Sequence, residues 1–290
     1  MQDPIPFQID LEHISISGWR WGKGHGTTVL ALHGWLDNCA SFTRLAPQLA
    51  LECDLDIWAI DMVGHGHSSH RPQGSYYHIW DNVIDLTLLM DAQGWEKVDL
   101  LGHSMGAGVA TLMAGAVPER IARVALLEGL GPISTPAEES PGQLTQALSK
   151  YQLMGYKQPP SYADIHSAAE ARMRGVGEIS YEAALPLTER GIIKQEDGWY
   201  WRSDPRLRIP SPVRLTEEQI NAFCNAITAP VRLLTAEQGF LVNRENTEAR
   251  AAHVRNIQHQ CLPGNHHFHL EPETYLAVQA ELIRFWQVDQ

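Results

Sequence analysis

The 290-residue sequence predicts an α/β protein with a doubly wound, mostly parallel sheet. Three observations predict it. Apolar runs of strand length alternate with segments of helical periodicity through most of the chain, as parallel strands joined by crossover helices require. Apolar residues make up 44% and charged residues 19%, enough to bury a sizeable core. One apolar run, ending at Leu101, passes straight into a helical pattern of small residues through the corner "GHSMGAG".

In chain order, residues 7–22 ("FQIDLEHISISGWRWG") alternate apolar and polar side chains, as half-buried strands do. "TTVLALHG" (27–34) is a fully apolar strand ending in a glycine turn, followed by a helical segment near 41–51 and a strand at 56–60. Val83, Leu86, Leu89 and Met90 recur at helical spacing, which predicts a helix over 79–93 stopped by Gly94 at its C′ position. A strand at 98–101, a helix after Ser104 and a strand at 123–129 continue the alternation. It then lapses. From Pro132 to about Thr228 the chain shows proline clusters ("QPPSY", "RIPSPVRL") and short helical patches near 162–174 and 217–227. That span is too long for a plain loop and predicts an inserted helical lid. Alternation resumes with a strand at 229–236, a helix near 244–253, the strand "NIQHQCL" and a final helix over 272–286.

Bulk properties narrow the function. A net charge of −12 disfavours a nucleic-acid partner, which needs a basic face. No run of about 18 apolar residues predicts a membrane span. Residues 1–10 lack the basic and apolar regions of a signal peptide, and Cys39, Cys53, Cys224 and Cys261 show no metal-type spacing. The expectation is a cytoplasmic protein with reduced thiols.

Gly102-x-Ser104-x-Gly106 between a strand and a helix is the pattern of a nucleophile elbow. Its glycines permit a sharp turn that lifts the serine at the carboxyl end of the sheet. The plainer alternative is a serine capping a helix. A serine hydroxyl needs a base, and "LPGNHHFHLEPE" after the last strand offers His266 and His267, of which only one can face the serine. A metal site on His266, His267 and His269 would lack companion carboxylates or cysteines at ligand spacing. Glu128 follows the apolar run "VALL"; a carboxylate there is costly unless paired, and an imidazolium is such a partner. It could instead point to water at the start of the insertion. Asp61 is read as a brace for the "VGHGHSSH" turn, with His65, His67 and His70 as turn residues, and Trp199, Tyr200 and Trp201 either line an acyl pocket or pack.

The segments "LHGWLDN", "DMVGHGHSS", "GHSMGAG", "LEGLGP" and "GNHHFHLEPE" together resemble an α/β-hydrolase-fold serine hydrolase of the serine hydrolase-like carboxylesterase group, related to the haloalkane dehalogenase and epoxide hydrolase branch. The resemblance implies an eight-stranded, mostly parallel sheet flanked by helices. The core would comprise residues 1–131 and 229–290, with a helical cap at 132–228 after the sixth strand. It implies oxyanion donors at the backbone N–H groups of Trp35 and Met105. The family's Gly-His-x-x-His-x-Glu segment selects His266 over His267, with His269 and Glu271 in register. Many relatives carry the triad aspartate after the seventh strand, where this chain has Gly239 with Glu237 nearby. The dehalogenase branch places its acid after the sixth strand, which selects Glu128. The expected activity is carboxylic-ester hydrolysis through an acyl-enzyme by Ser104, His266 and Glu128, with no cofactor or metal. A serine at the elbow argues against dehalogenase and epoxide hydrolase chemistry. Thioester or C–C bond hydrolysis would use the same machinery, and a non-catalytic binding protein is the rival from another class. The expected partner is a small-molecule ester, with the chain as monomer or homodimer.

Overall fold

The computed structural model describes residues 3–154, 159–241 and 245–287. Strands β1 (Ile5–Asp10) and β2 (Ser15–Trp21) form an antiparallel pair. There follow β3 (Thr27–Leu32), a short 3-10 turn with helix α1 (Ala46–Glu52), β4 (Leu55–Ile60), α2 (Asp81–Gln93), β5 (Val98–His103), α3 (Met105–Ala116) and β6 (Ile121–Leu127). An inserted stretch holds α4 (Ser140–Met154), α5 (Ile165–Met173), α6 (Tyr181–Gly191), the hairpin β7 (Ile192–Gln195) and β8 (Gly198–Trp201), and α7 (Glu217–Ala226). The chain closes with β9 (Val231–Gln238), α8 (Glu245–Ala251), β10 (Ile257–Asn265) and α9 (Tyr275–Gln287).

The main sheet has eight strands in the order β1-β2-β4-β3-β5-β6-β9-β10. Pairing is antiparallel from β1 to β4 and parallel from there on. Every residue of β4 and β5 is buried, which is why these strands read as continuous rather than alternating runs. Side chains of period two feed two cores. Leu30, Leu32, Leu100, Val124 and Leu126 face α2, α3 and α7, whereas Val29, Ala31, Leu101, Ala125 and Leu127 face α1 and α9. Among the described residues no helix is long and apolar enough to cross a membrane.

Several differences from the sequence reading have local causes. The helical segment near 41–51 divides into the 3-10 turn Cys39–Phe42 and α1, with Pro47 in the first turn of α1. The hairpin β7–β8 was not anticipated; its four-residue strands are too short to show a period. Helix α7 lies within the expected lid range, yet Ile220 and Cys224 pack into the core on α3. A Cβ on Gly115 of α3 would come within 2.5 Å of the Phe223 carbonyl, so a glycine is needed at that crossing. Arg244, the expected start of the helix near 244–253, and Gln158 of the first proline cluster lie outside the described residues. Gly94 does end α2 in the left-handed conformation expected of a C′ glycine.

Candidate active site

Ser104 stands alone between β5 and α3 with φ 52° and ψ −112°. A non-glycine residue held there stores of order 1–3 kcal/mol of strain, which its surroundings must offset. Its N–H donates to the Leu127 carbonyl at 2.8 Å and its own carbonyl accepts from Gly108 N–H at 3.1 Å. A Cβ on Gly102 would lie 2.5 Å from the Gly106 carbonyl oxygen, and one on Gly106 only 2.0 Å from that of Leu32. Both elbow glycines are therefore demanded by close backbone approach.

His266, just past β10, brings Nε2 to 2.9 Å from Ser104 Oγ. Its Nδ1 lies 3.1 Å from Glu128 Oε2. The carboxylate is an acceptor, so Nδ1 carries the proton and donates, leaving the Nε2 lone pair to accept from the serine hydroxyl. The Phe240 ring stacks on the imidazole with centroids 4.0 Å apart. His267 turns elsewhere, with its Nε2 at 3.1 Å from Asp37 Oδ2.

Glu128 has a left-handed backbone, φ 52°, directly after β6. Its buried carboxylate accepts from Ala236 N–H and Phe240 N–H, both at 2.8 Å, as well as from His266. Three donors answer the desolvation of a buried anion. A Cβ on Gly239 would fall 2.3 Å from the Glu128 carboxyl carbon. The glutamate thus fills the space that a side chain at position 239 would enter. Glu237 is exposed at the end of β9.

Gly34 to Asp37 form a turn, Asp37 N–H donating to the Gly34 carbonyl at 3.1 Å. Buried His33 accepts from Met62 N–H through Nε2, so its Nδ1–H donates to the same Gly34 carbonyl at 2.7 Å. Burial holds this imidazole below its ordinary pKa and hence neutral. In a trans peptide the N–H opposes the C=O, so the bond from His33 also sets the direction of Trp35 N–H. The Trp35 indole donates to the Leu207 carbonyl at 2.9 Å. Met105, first residue of α3, has an N–H without an intrahelical acceptor, at the positive end of the helix. Gly34, Trp35, Ser104, His266 and Val176 are among the residues around a small cavity of about 20 Å³. The aromatics Trp199, Tyr200 and Trp201 are not among them.

Sequence reading missed a supporting set. His103, inside the elbow motif, donates from Nε2 to the His266 carbonyl at 2.9 Å; burial pushes its pKa well below the ordinary value. Its place beside the serine was the available signal. Asp37, two residues beyond Trp35, pairs with Arg172 at 2.7 Å. No sequence signal marks Arg172. The ligand atoms of Asp37, His103 and His267 lie within 4.8 Å of one another, as a metal site would need. The Arg172 guanidinium already meets Asp37 Oδ1 and lies 3.2 Å from His267 Nε2, so a cation there would face a positive charge. Asp61 braces the following turn as expected, accepting from His67 N–H at 2.8 Å, and it pairs with Arg190 of α6.

Residues 27–157 match the family model described as alpha/beta hydrolase fold. The chain is 31% identical to a serine hydrolase-like protein of Dictyostelium discoideum, over 94% of this chain and 78% of that one. It is 27% identical to a zebrafish (Danio rerio) serine hydrolase-like protein, covering 98% of this chain and 90% of the relative. A crystal structure of a hypothetical protein from Pseudomonas aeruginosa superposes with a TM-score of 0.92 at 44% identity, covering 97% of this chain and 99% of that one. A thioesterase domain from the curacin biosynthetic pathway shares the fold with a TM-score of 0.83 at 23% identity, covering 99% and 100% of the two chains. With the elbow, the sheet order and these relatives in agreement, the chain belongs to the α/β-hydrolase family, within its serine hydrolase-like group.

Proposed function

We propose that the protein is a serine hydrolase that cleaves carboxylic esters through an acyl-enzyme. The observation that carries this reading is the unbroken relay from Ser104 Oγ through His266 to Glu128, with contacts of 2.9 and 3.1 Å. His266 Nε2 takes the hydroxyl proton as Ser104 attacks the ester carbonyl, and the same proton then goes to the departing alkoxide. Glu128 keeps the imidazole in the required tautomer and balances the imidazolium while it lasts. The N–H groups of Trp35 and Met105 receive the oxyanion, where one well-placed donor is worth about 10²–10³ in rate. Water, activated by His266, then releases the acid. Residues 132–228 are assigned as the cap, in which Val176 borders the cavity at Ser104 and the Leu207 carbonyl accepts from the Trp35 indole.

Ser104→Ala should abolish both hydrolysis of short aryl esters and covalent labelling by a fluorophosphonate, with an unchanged melting curve. Labelling that persists in this variant would remove Ser104 from the role.

A further inference from the structure

Arg172 lies in the last turn of α5, far along the chain from the relay, yet its side chain is only 10% exposed. Its Nη2 donates to Asp37 Oδ1 at 2.7 Å and lies 3.2 Å from His267 Nε2. Its Nη1 reaches the carbonyls of Val176 and Gly177 at 3.4 and 3.5 Å. Together these contacts reach three walls of the site. Asp37 closes the turn that carries Trp35, His267 adjoins His266, and Val176 borders the cavity at Ser104.

The loop 174–178 rests directly on this cluster. A Cβ on Gly177, whose φ is +67°, would lie 2.8 Å from the His267 ring. Val176 is 49% exposed while bordering the cavity, so the wall there is one residue thick. The cavity is partly open and offers about 20 Å³, room for about one water, so it is too small as it stands to seat an ester group. Burial alone would raise the Asp37 pKa, but Arg172 and His267 hold it well below the usual carboxylate range. The ion pair therefore stays charged at working pH.

We propose that Arg172 is a positioning residue that links seating of the 174–178 loop to the oxyanion turn, through Asp37, and to the His266 loop, through His267. Hydrolytic geometry is then complete only with this loop closed. The proposal rests on the roles assigned above to Ser104, His266 and Glu128.

The test uses the full chain with Arg172→Gln, Arg172→Lys, Asp37→Asn and the Gln/Asn double variant. A fluorophosphonate titrates active sites, and p-nitrophenyl acetate gives kcat and KM. Arg172→Gln should titrate as many sites as the parent, but kcat per titrated site should fall about 10- to 100-fold, as for a misplacement of about 1 Å. KM should change much less. The double variant should fall no further than the worse single one, because both break one link. Arg172→Lys should recover part of the loss, since an ammonium keeps the charge but not the fork; it also serves if the glutamine variant does not fold. A parental kcat per site in Arg172→Gln, or fewer titrated sites of normal kcat, would overturn the proposal. So would losses that multiply in the double variant. Persistent labelling of Ser104→Ala would instead overturn the underlying relay, whatever Arg172 does.

Discussion

Glu128 combines a left-handed backbone with a buried carboxylate, and each alone is unfavourable. The N–H groups of Ala236 and Phe240 aim at that carboxylate from the β9 side, and Gly239 leaves it room. A side chain at 239 and a glutamate at 128 would compete for one volume, which accounts for the glycine where relatives of the commoner pattern have their aspartate. Glu128→Gln should therefore cost kcat about 10⁴-fold, since the imidazolium loses its counter-charge, whereas Glu237→Gln should be near normal. A crippled Glu237 variant beside a normal Glu128 variant would contradict this assignment; thermal melts would exclude unfolding. The relay's candidates were legible in sequence because each sits at a strand end inside a short motif, but it was the family resemblance that selected His266 over His267 and Glu128 over Glu237. Arg172 was not legible, because a lone arginine on a helix carries no mark of what it will face across the fold. His103 and Asp37 were intermediate: they lie in quoted motifs, but their hydrogen bonds depend on how β3, β5 and the His266 loop converge.

The best-read elements are those whose burial is most uniform. β3, β4 and β5 lie inside the sheet, and their apolar runs announced it; helix α2 announced itself by its stripe and terminal glycine. The hairpin β7–β8 and the divided α1 region escaped because short elements are decided by tertiary contacts rather than period. An exception within β5 is Asp99, buried in the sheet and accepting from the Trp286 indole of α9 at 2.8 Å. Burial raises its pKa from 3.8 to about 6 despite that bond and nearby Arg123. The folded state then holds a proton that the unfolded chain has released. Stability should fall as pH rises from about 4 through about 6, and the cost, about 3 kcal/mol by linkage, is fully present above that window. Asp99→Asn keeps an oxygen for the indole and never ionises. Its melting temperature should exceed the parent's by several degrees at pH 8 and match it near pH 4. An equal difference at both values would mean that packing, not ionisation, sets the cost.

At the scale of the molecule, a tightly filled sheet meets an inserted segment tied to it by many polar contacts, including Arg206 to the carbonyls of Arg71, Pro72 and Ser75 and Ser180 N–H to Glu271. Arg190 to Asp61, Arg172 to Asp37, the Trp35 indole to Leu207 and Asn38 to the Leu187 carbonyl join the two. Helices α5 and α6 are further secured by a small apolar cluster in which Ala183, Ala184 and Leu187 pack on Ala40 and Leu270. Helix α4 is the weakest part of this arrangement. It buries Ala147 while Leu144, Leu148, Tyr151 and Leu153 remain exposed. Local opening is easiest where few apolar contacts must break, so brief trypsin treatment should cut first within residues 132–216, with exposed Lys150 of α4 the leading site. The sheet strands should stay intact over the same period. Because α4 takes no part in the Arg172 cluster, protein nicked there should still react with a fluorophosphonate at Ser104. Mass spectrometry of the early fragments, with the label present, reads both outcomes together. First cuts within residues 29–101, or loss of labelling on cleavage at Lys150, would show that the segment and the sheet yield as one unit.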